Sequence, residues 1–190
     1  MMYTLPTTLR VGGQEIPIRT AWTAALDAIS VLADPDFSPE DKGRAVIKII
    51  YKVPVKPMYQ VEALRQAYWF LDGGQDYKQG KKGPTVMDWE HDWPLIVAPI
   101  NRVIGHDVRT DTDLHWWTFL AAYLEIGGDC LLAQVVSIRD KQARHEKLAD
   151  YEKKWATRNA GIIELPQRYT QGENDTLAKF GIKKKGNQPN

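Results

Sequence analysis

The sequence predicts a mainly α-helical protein: a compact domain of about six to seven helices with a short β-hairpin at its N-terminus. Apolar residues recur three and four positions apart along most of the chain. Gly and Pro interrupt these periodic segments at spacings typical of helix ends. Strict alternation of apolar and polar residues is confined to the flanks of Gly12-Gly13. That pair is a two-residue hairpin signal.

The predicted hairpin spans residues 8–18, with Leu9 and Val11 facing Ile16 and Ile18. An isolated two-stranded hairpin is only marginally stable in water. We therefore expect it to pack against the helices.

Three helices are expected to follow the hairpin. The first covers 19–32, the second begins with Ser38 as N-cap and Pro39 in its first turn, and the third runs from Tyr59 to Leu71 and stops at Gly73-Gly74. The second is expected to be well buried, because its apolar residues occupy more than one face. The residues expected to face the core are Trp22, Leu26, Ile29 and Leu32 in the first helix, Val46, Ile47, Ile49 and Ile50 in the second, and Val61, Leu64, Tyr68 and Leu71 in the third.

The C-terminal half predicts further helices. A fourth is capped by Asp88 or Asp92, kinked by Pro99 and ended by Gly105. Its predicted core stripe is Trp93, Ile96, Ile100 and Val103. A fifth, capped by Asp111 or Asp113 and ending near Ile126, carries the adjacent Trp116 and Trp117, and a sixth covers about 129–139. A charge-dense segment from Asp140 then predicts a solvated helix with one ridge formed by Leu148, Tyr151 and Trp155.

Four regions follow from this organisation. Residues 1–71 form an N-terminal subregion of hairpin and three helices, and 72–84 form a flexible linker rich in Gly and Lys. Residues 85–158 form a C-terminal helical subregion that contains the Trp-pair helix. Residues 159–190 are polar and are expected to be disordered.

Composition excludes several classes of protein. The formal net charge of +1 over 190 residues disfavours an obligate nucleic-acid binder. No stretch has the length and apolarity of a signal peptide or membrane span, so we expect a reducing cytoplasm and no membrane partner. The single cysteine, Cys130, lies in an apolar run and is expected to be buried and unreactive.

No catalytic pattern emerges from the polar residues. The four histidines, His91, His106, His115 and His145, lie on separate predicted elements without the spacing of a recurrent metal or acid–base site. The glycine pairs lack the Lys and Ser or Thr of a phosphate-binding loop. We therefore predict no enzyme activity, no catalytic residue, no metal and no cofactor.

Several motifs, in a fixed order, resemble a family of small tail-assembly proteins of long-tailed bacteriophages. They are the Ile-Pro-Ile end of the hairpin, SPEDK, AYWFLDGG, MDWEHDWPLI, and DLHWWTFLAAYLEIGGD followed by SIRD. The resemblance extends over roughly Thr8 to Arg158.

This resemblance implies a tail-assembly chaperone, encoded beside the tape-measure protein, that keeps the tape-measure chain soluble while tail-tube subunits polymerise around it. The implied partners are the tape-measure protein, with the major tail tube protein and a companion chaperone as further candidates, and self-association. The implied location is the host cell cytoplasm, with the protein absent from the mature virion.

Aromatic residues are the candidate partner-binding residues, because a helical client with apolar stripes is recognised by an aromatic groove. The candidates are one of Trp116 and Trp117, then Trp89, Trp93, Tyr123 and Trp155. At least one of the paired indoles is expected to lie in the core.

Two alternatives remain open from the sequence. One is a structural tail-completion or connector component, which would remain in purified virions. The other is a nucleic-acid-associated accessory protein, since residues 139–190 contain 12 Lys and Arg against 7 Asp and Glu. Such mixed charge runs are more often solvated surface, and binding to nucleic acid is the less favoured reading.

Overall fold

The computed structural model describes residues 4–75, 83–168, 170 and 172. In that part the chain forms one antiparallel hairpin and eight α-helices, which confirms the predicted fold class. The strands are β1 (Thr8–Val11) and β2 (Gln14–Pro17), and the helices are α1 (Trp22–Ala33), α2 (Pro39–Ile50), α3 (Gln60–Leu71), α4 (Trp93–Ile104), α5 (Trp116–Leu124), α6 (Leu131–Ala143), α7 (Asp150–Arg158) and α8 (Ala160–Ile163). Of the predicted linker, 76–82 lies outside the described residues.

The contacts divide the chain into two compact units. Unit 1 comprises Met1–Lys82 and Ile96–Ile126, and unit 2 comprises Gly83–Leu95 and Gly127–Asn190. The sequence-based division assigned the Trp-pair helix to residues 85–158, whereas α5 belongs to unit 1. Its first residue explains why: the backbone N–H of Trp116 donates to the carbonyl of Thr20, just before α1.

The hairpin in unit 1 has the predicted register. Leu9 pairs with Ile16 across the strands, and Gly12 and Gly13 form the loop with positive φ angles of 57° and 75°. Such angles strain residues that carry a Cβ. β1 packs on α3.

Helix α1 begins at Trp22, three residues later than predicted. The preceding Arg19 lies outside α1 and binds the end of α2. Its Nη1 donates to the carbonyls of Lys48, Ile49 and Tyr51. These carbonyls lie at the C-terminal end of α2, where backbone acceptors lack helical partners.

The buried faces of α1 and α3 are formed largely by alanine. Ala63 and Ala67 are buried in α3, while Val61 is 85% exposed. The predicted inward orientation of Val61 and Tyr68 is therefore wrong. A helix face made of small residues lets a neighbouring helix approach closely. The contact between α2 and α3 uses the same principle, because Gly43 of α2 lies against Leu64 of α3.

Helix α2 begins as predicted. The Ser38 Oγ accepts the backbone N–H of Asp41, and Pro39 occupies the first turn. The helix is less buried than expected: Val46 and Ile50 are in the core, whereas Ile47 and Ile49 are half-buried.

His115 caps α5 in place of the predicted Asp111 or Asp113. Its Nδ1 accepts the N–H of Trp117, and its Nε2 lies 3.0 Å from the carbonyl of Pro6. This pair of contacts requires the ring proton on Nε2. The helix ends at Leu124, two residues earlier than expected.

Helix α4 continues through Pro99 and stops at Gly105, whose φ is 82°. The Asp88 carboxylate accepts the N–H groups of Glu90 and His91 in the turn that precedes α4. The predicted core residue Val103 is exposed.

In unit 2, the predicted charge-dense helix is interrupted. α6 extends to Ala143, His145 adopts a positive φ of 57°, and α7 starts at Asp150. A left-handed residue cannot continue an α-helix. Of the predicted apolar ridge, Tyr151 is 74% exposed, whereas Leu148 and Trp155 pack against the cluster of Val135, Ile138, Ala156 and Ile163.

The segment after Asn159 is ordered through at least its first residues, contrary to the prediction for 159–190. α8 buries Ile163 against Val135, Ile138 and Ala156. Residues 173–190 lie outside the described part.

Cys130 is half-buried, and its Sγ accepts the N–H of Ala133 at the start of α6. It was predicted to be buried. Among the described residues, no helix is long and apolar enough to cross a membrane.

Candidate protein-binding groove

A groove of about 690 Å³ runs between α6 and α7 in unit 2. Its floor and walls combine aromatic, aliphatic and charged side chains. They are Gly128, Ala133, Gln134, Ser137, Ile138, Lys141, Tyr151, Glu152, Lys154, Trp155 and Arg158.

The two aromatic residues of the groove differ in how firmly the surrounding side chains hold them. Trp155 is half-buried and packs against the cluster that contains Val135 and Ile138, so its indole is fixed by the core. Tyr151, one turn earlier on the same face of α7, projects into solvent. A fixed indole beside an exposed phenol is an arrangement that can accept an apolar side chain of another polypeptide.

An ion pair closes α7 against α6 at one wall of the groove. Lys141 Nζ lies 2.6 Å from Glu152 Oε1, and Glu152 Oε2 accepts the N–H of Ala149. The hydrogen bond from Lys141, followed by that from Ala149, holds the pKa of Glu152 below its usual value. The same bond with Glu152 raises the pKa of Lys141. Both groups are charged at neutral pH, and each neutralises the other.

A buried pair fixes α6 from its other side. Arg139 binds both carboxylate oxygens of Asp92, at 2.7 and 2.8 Å. Its three remaining N–H groups donate to the carbonyls of Val86, Ile162 and Ile163. All five guanidinium donors therefore have acceptors. Arg139 joins the 86–92 segment, α6 and α8, and thereby holds the groove's α6 wall in place.

A second ion pair attaches the segment after α8. Arg168 binds Asp88 through two nitrogens and also reaches Glu90. Burial acts to raise the pKa of Asp88, but hydrogen bonds from the His91 backbone and from Arg168 outweigh it, and that pKa is lowered.

The paired indoles of α5 lie in unit 1. Trp116 is 1% exposed and its Nε1 donates to Leu71 O, so it is the core member of the pair. Trp117 is half-buried, donates to Phe70 O and packs edge-on against Trp69. Trp117 is thus the member that retains some accessible surface.

The other candidate residues are all half-buried. Tyr123 lies on α5 in unit 1, whereas Trp89 and Trp93 belong to the 83–95 segment of unit 2. Of the six candidates, only Trp155 lines the groove. The partner-binding roles of all six stay predictions.

The α7 wall of the groove follows a pattern that is visible in the sequence. Tyr151, Lys154, Trp155 and Arg158 follow the i, i+3, i+4, i+7 spacing of a single helix face. Tyr151 and Trp155 belong to the predicted apolar ridge, whereas the break in the helix before residue 150 was not predicted.

His91 and His106 also make polar contacts in the structure. His106 lies 3.3 Å from Asp111, and His91 donates its backbone N–H to Asp88. Within 4–75, 83–168, 170 and 172, no three His, Cys, Asp or Glu side chains are grouped as they would be around a metal ion. Arg139 was included in the basic segment considered for nucleic-acid binding, but it is buried and fully hydrogen-bonded.

The fold and the groove define a class: a helical protein with an open, aromatic-lined groove on one of two compact units. A family model described as "Bacteriophage Gp15 protein" matches residues 1–161. The chain therefore belongs to the bacteriophage Gp15 protein family, which confirms the predicted bacteriophage origin. No curated protein and no solved structure matches it.

Proposed function

We propose that this protein is a tail-assembly chaperone that binds the tape-measure protein in the host cytoplasm and keeps it soluble while the tail tube polymerises. The carrying observation is the groove between α6 and α7, with Trp155 fixed at its wall and Tyr151 at its rim. Membership of a bacteriophage family supports the proposal. The order of motifs that resembles tail-assembly proteins supports it as well.

The mechanism is transient covering of apolar side chains. A tape-measure protein is a long helical chain, and its exposed apolar stripes would aggregate. The groove takes one or two apolar side chains from a client helix, in the helix-in-groove mode. Full burial of one Leu or Phe is worth about 1.5–3 kcal/mol. A contact of this size is weak enough for arriving tube subunits to displace it.

Many weak contacts along one client give the required retention. Several copies of the chaperone on one tape-measure chain cover successive stripes, and linked sites strengthen binding without any single tight contact. Removal then proceeds stepwise as the tube extends.

Co-expression with the tape-measure protein tests the proposal. Tyr151→Ala removes an exposed groove ring with little effect on folding. Val61→Ala is the control, since Val61 is also largely exposed but lies in unit 1. We expect Tyr151→Ala to lower the soluble fraction of the tape-measure protein severalfold and Val61→Ala to leave it unchanged. A tape-measure protein that is equally soluble with and without the wild-type chain would refute the chaperone role.

Mass spectrometry of purified virions provides a second check. The proposal expects the chain to be absent from them. Stoichiometric presence would instead favour a structural tail component.

A further inference from the structure

The cations on the groove's α7 wall suggest which client segments the groove selects. Lys154 and Arg158 both line it, one helical turn apart. Neither makes an ion pair with any residue in the described part of the chain. Lys141, the third cation of the lining, is already paired with Glu152. The groove therefore has a net charge of about +2 contributed by Lys154 and Arg158.

The aromatic groups and the cations share one face of α7. Tyr151 and Trp155 alternate with Lys154 and Arg158 at positions i, i+4 and i+3, i+7. Side chains four apart on a helix stand roughly 6 Å from each other. The spacing between the two cations is therefore the spacing of two carboxylates one turn apart on a client helix.

We propose that the groove selects acidic amphipathic helices: segments with an apolar residue that packs on Trp155 and Tyr151, flanked by two Asp or Glu residues three or four positions apart. This inference rests on the proposed function and names the client chemistry of the same groove. It also gives a reason for release, because ion pairs at an exposed rim are weak and exchange readily.

The same features disfavour nucleic acid. Trp155 is packed against the core cluster, which leaves less of its ring for base stacking. Two cations are also fewer than the clustered basic excess on which phosphate-backbone binding depends.

Three probes test the inference on the full-length chain. Two are synthetic 18-residue amphipathic peptides with one shared apolar stripe, the first with Glu at two flanking positions four apart and the second with Gln there. The third is a single-stranded oligothymidylate of about 20 nucleotides. Binding is measured by fluorescence anisotropy at low and high NaCl.

We expect the Glu peptide to bind at least about fivefold more tightly than the Gln peptide at low salt, since each exposed ion pair contributes modestly. The preference should shrink at high salt. The double variant Lys154→Glu/Arg158→Glu should reverse it, so that the Gln peptide binds more tightly than the Glu peptide. Lys147→Glu/Lys153→Glu is the matched control, because both residues are exposed and neither lines the groove.

Equal affinity for the Glu and Gln peptides would overturn the inference, and so would tighter binding of the oligothymidylate. Should the tape-measure protein nevertheless be kept soluble, the chaperone role would stand without charge selection. If instead the Glu peptide binds the groove but the tape-measure protein precipitates regardless, selection stands and the chaperone role fails. Circular dichroism of both double variants separates a binding defect from misfolding.

Discussion

Arg139 on α6 and Asp92, the residue before α4, form a bidentate ion pair with both side chains at least 96% buried. They are 47 positions apart in the sequence, and the pair joins the Gly83–Leu95 segment to the rest of unit 2. Each belongs to a motif that carried the family resemblance: Asp92 to MDWEHDWPLI and Arg139 to SIRD. These two motifs therefore meet in one structural interaction.

Breaking this pair should destabilise unit 2 strongly. Asp92→Ala leaves a buried guanidinium without its carboxylate, and such losses cost about 3–5 kcal/mol. Denaturant unfolding followed by circular dichroism measures the loss. Arg144→Ala is the matched control, because its ion pair with Asp140 is exposed and worth about 0.5 kcal/mol. Similar losses in the two variants would contradict the assigned role of Arg139 and Asp92.

The paired indoles should respond differently to substitution. Trp116→Ala empties a buried site and should cost about 3–5 kcal/mol. Trp117→Phe keeps a ring in place and removes the hydrogen bond to Phe70 O, for a cost of about 1 kcal/mol. Thermal unfolding distinguishes the two.

Trp117 also separates two possible client sites. With the groove as the client site, Trp117→Phe should retain wild-type activity in keeping the tape-measure protein soluble. A loss of that activity in a folded Trp117→Phe variant would move the client site to α5.

A side chain at Gly74, in the turn after α3, should destabilise the fold more than one at Gly13. The φ of Gly74 is 77°, and a Cβ there would lie 2.5 Å from Cη2 of Trp117. Gly13 has a similar φ of 75° but no atom within 4 Å of its would-be Cβ. Gly13→Ala should therefore cost only the strain of about 1–2 kcal/mol. Gly74→Ala should cost a further 1–3 kcal/mol or so from overpacking. Equal melting temperatures for the two variants would show that the Trp117 side chain moves aside without a loss of stability.

Acid should weaken the attachment of α7 to α6. The pKa of Glu152 is lowered from its ordinary 4.5 by the bonds from Lys141 and Ala149. The ionised carboxylate therefore stabilises the fold at pH above 4.5, and this contribution is lost as the pH falls through the lower, folded-state pKa. In unfolding measurements from pH 7 to pH 3, Glu152→Gln should be less stable at pH 7 and lose less stability on acidification than the wild type. Parallel pH profiles would contradict this assignment.

Local signals in the sequence were sufficient for several turns and helix ends but not for the choice of buried faces. Gly12-Gly13, Ser38-Pro39 and Gly73-Gly74 each determine a backbone conformation within a few residues, and all three were predicted correctly. The buried face of α3 was not, because a search for large apolar side chains overlooks Ala63 and Ala67.

The features that shape the groove depend on long-range contacts. Nothing near Arg139 in the sequence indicates that it binds a carboxylate 47 residues away. Likewise, His115 caps α5 while its other nitrogen contacts Pro6, 109 residues earlier. Trp155 was identified as a candidate from its type and spacing alone. Its position in a groove with Tyr151 followed only once α6 and α7 were seen to be separate helices.

The most direct test of the central claim is to locate the client on the chain. A photo-crosslinking amino acid placed at Tyr151 during co-expression with the tape-measure protein should form a covalent adduct with it, identified by mass spectrometry. The same amino acid at Tyr68, an exposed tyrosine of unit 1, should not. Adduct formation at Tyr68 but not at Tyr151 would contradict the groove as the client-binding site.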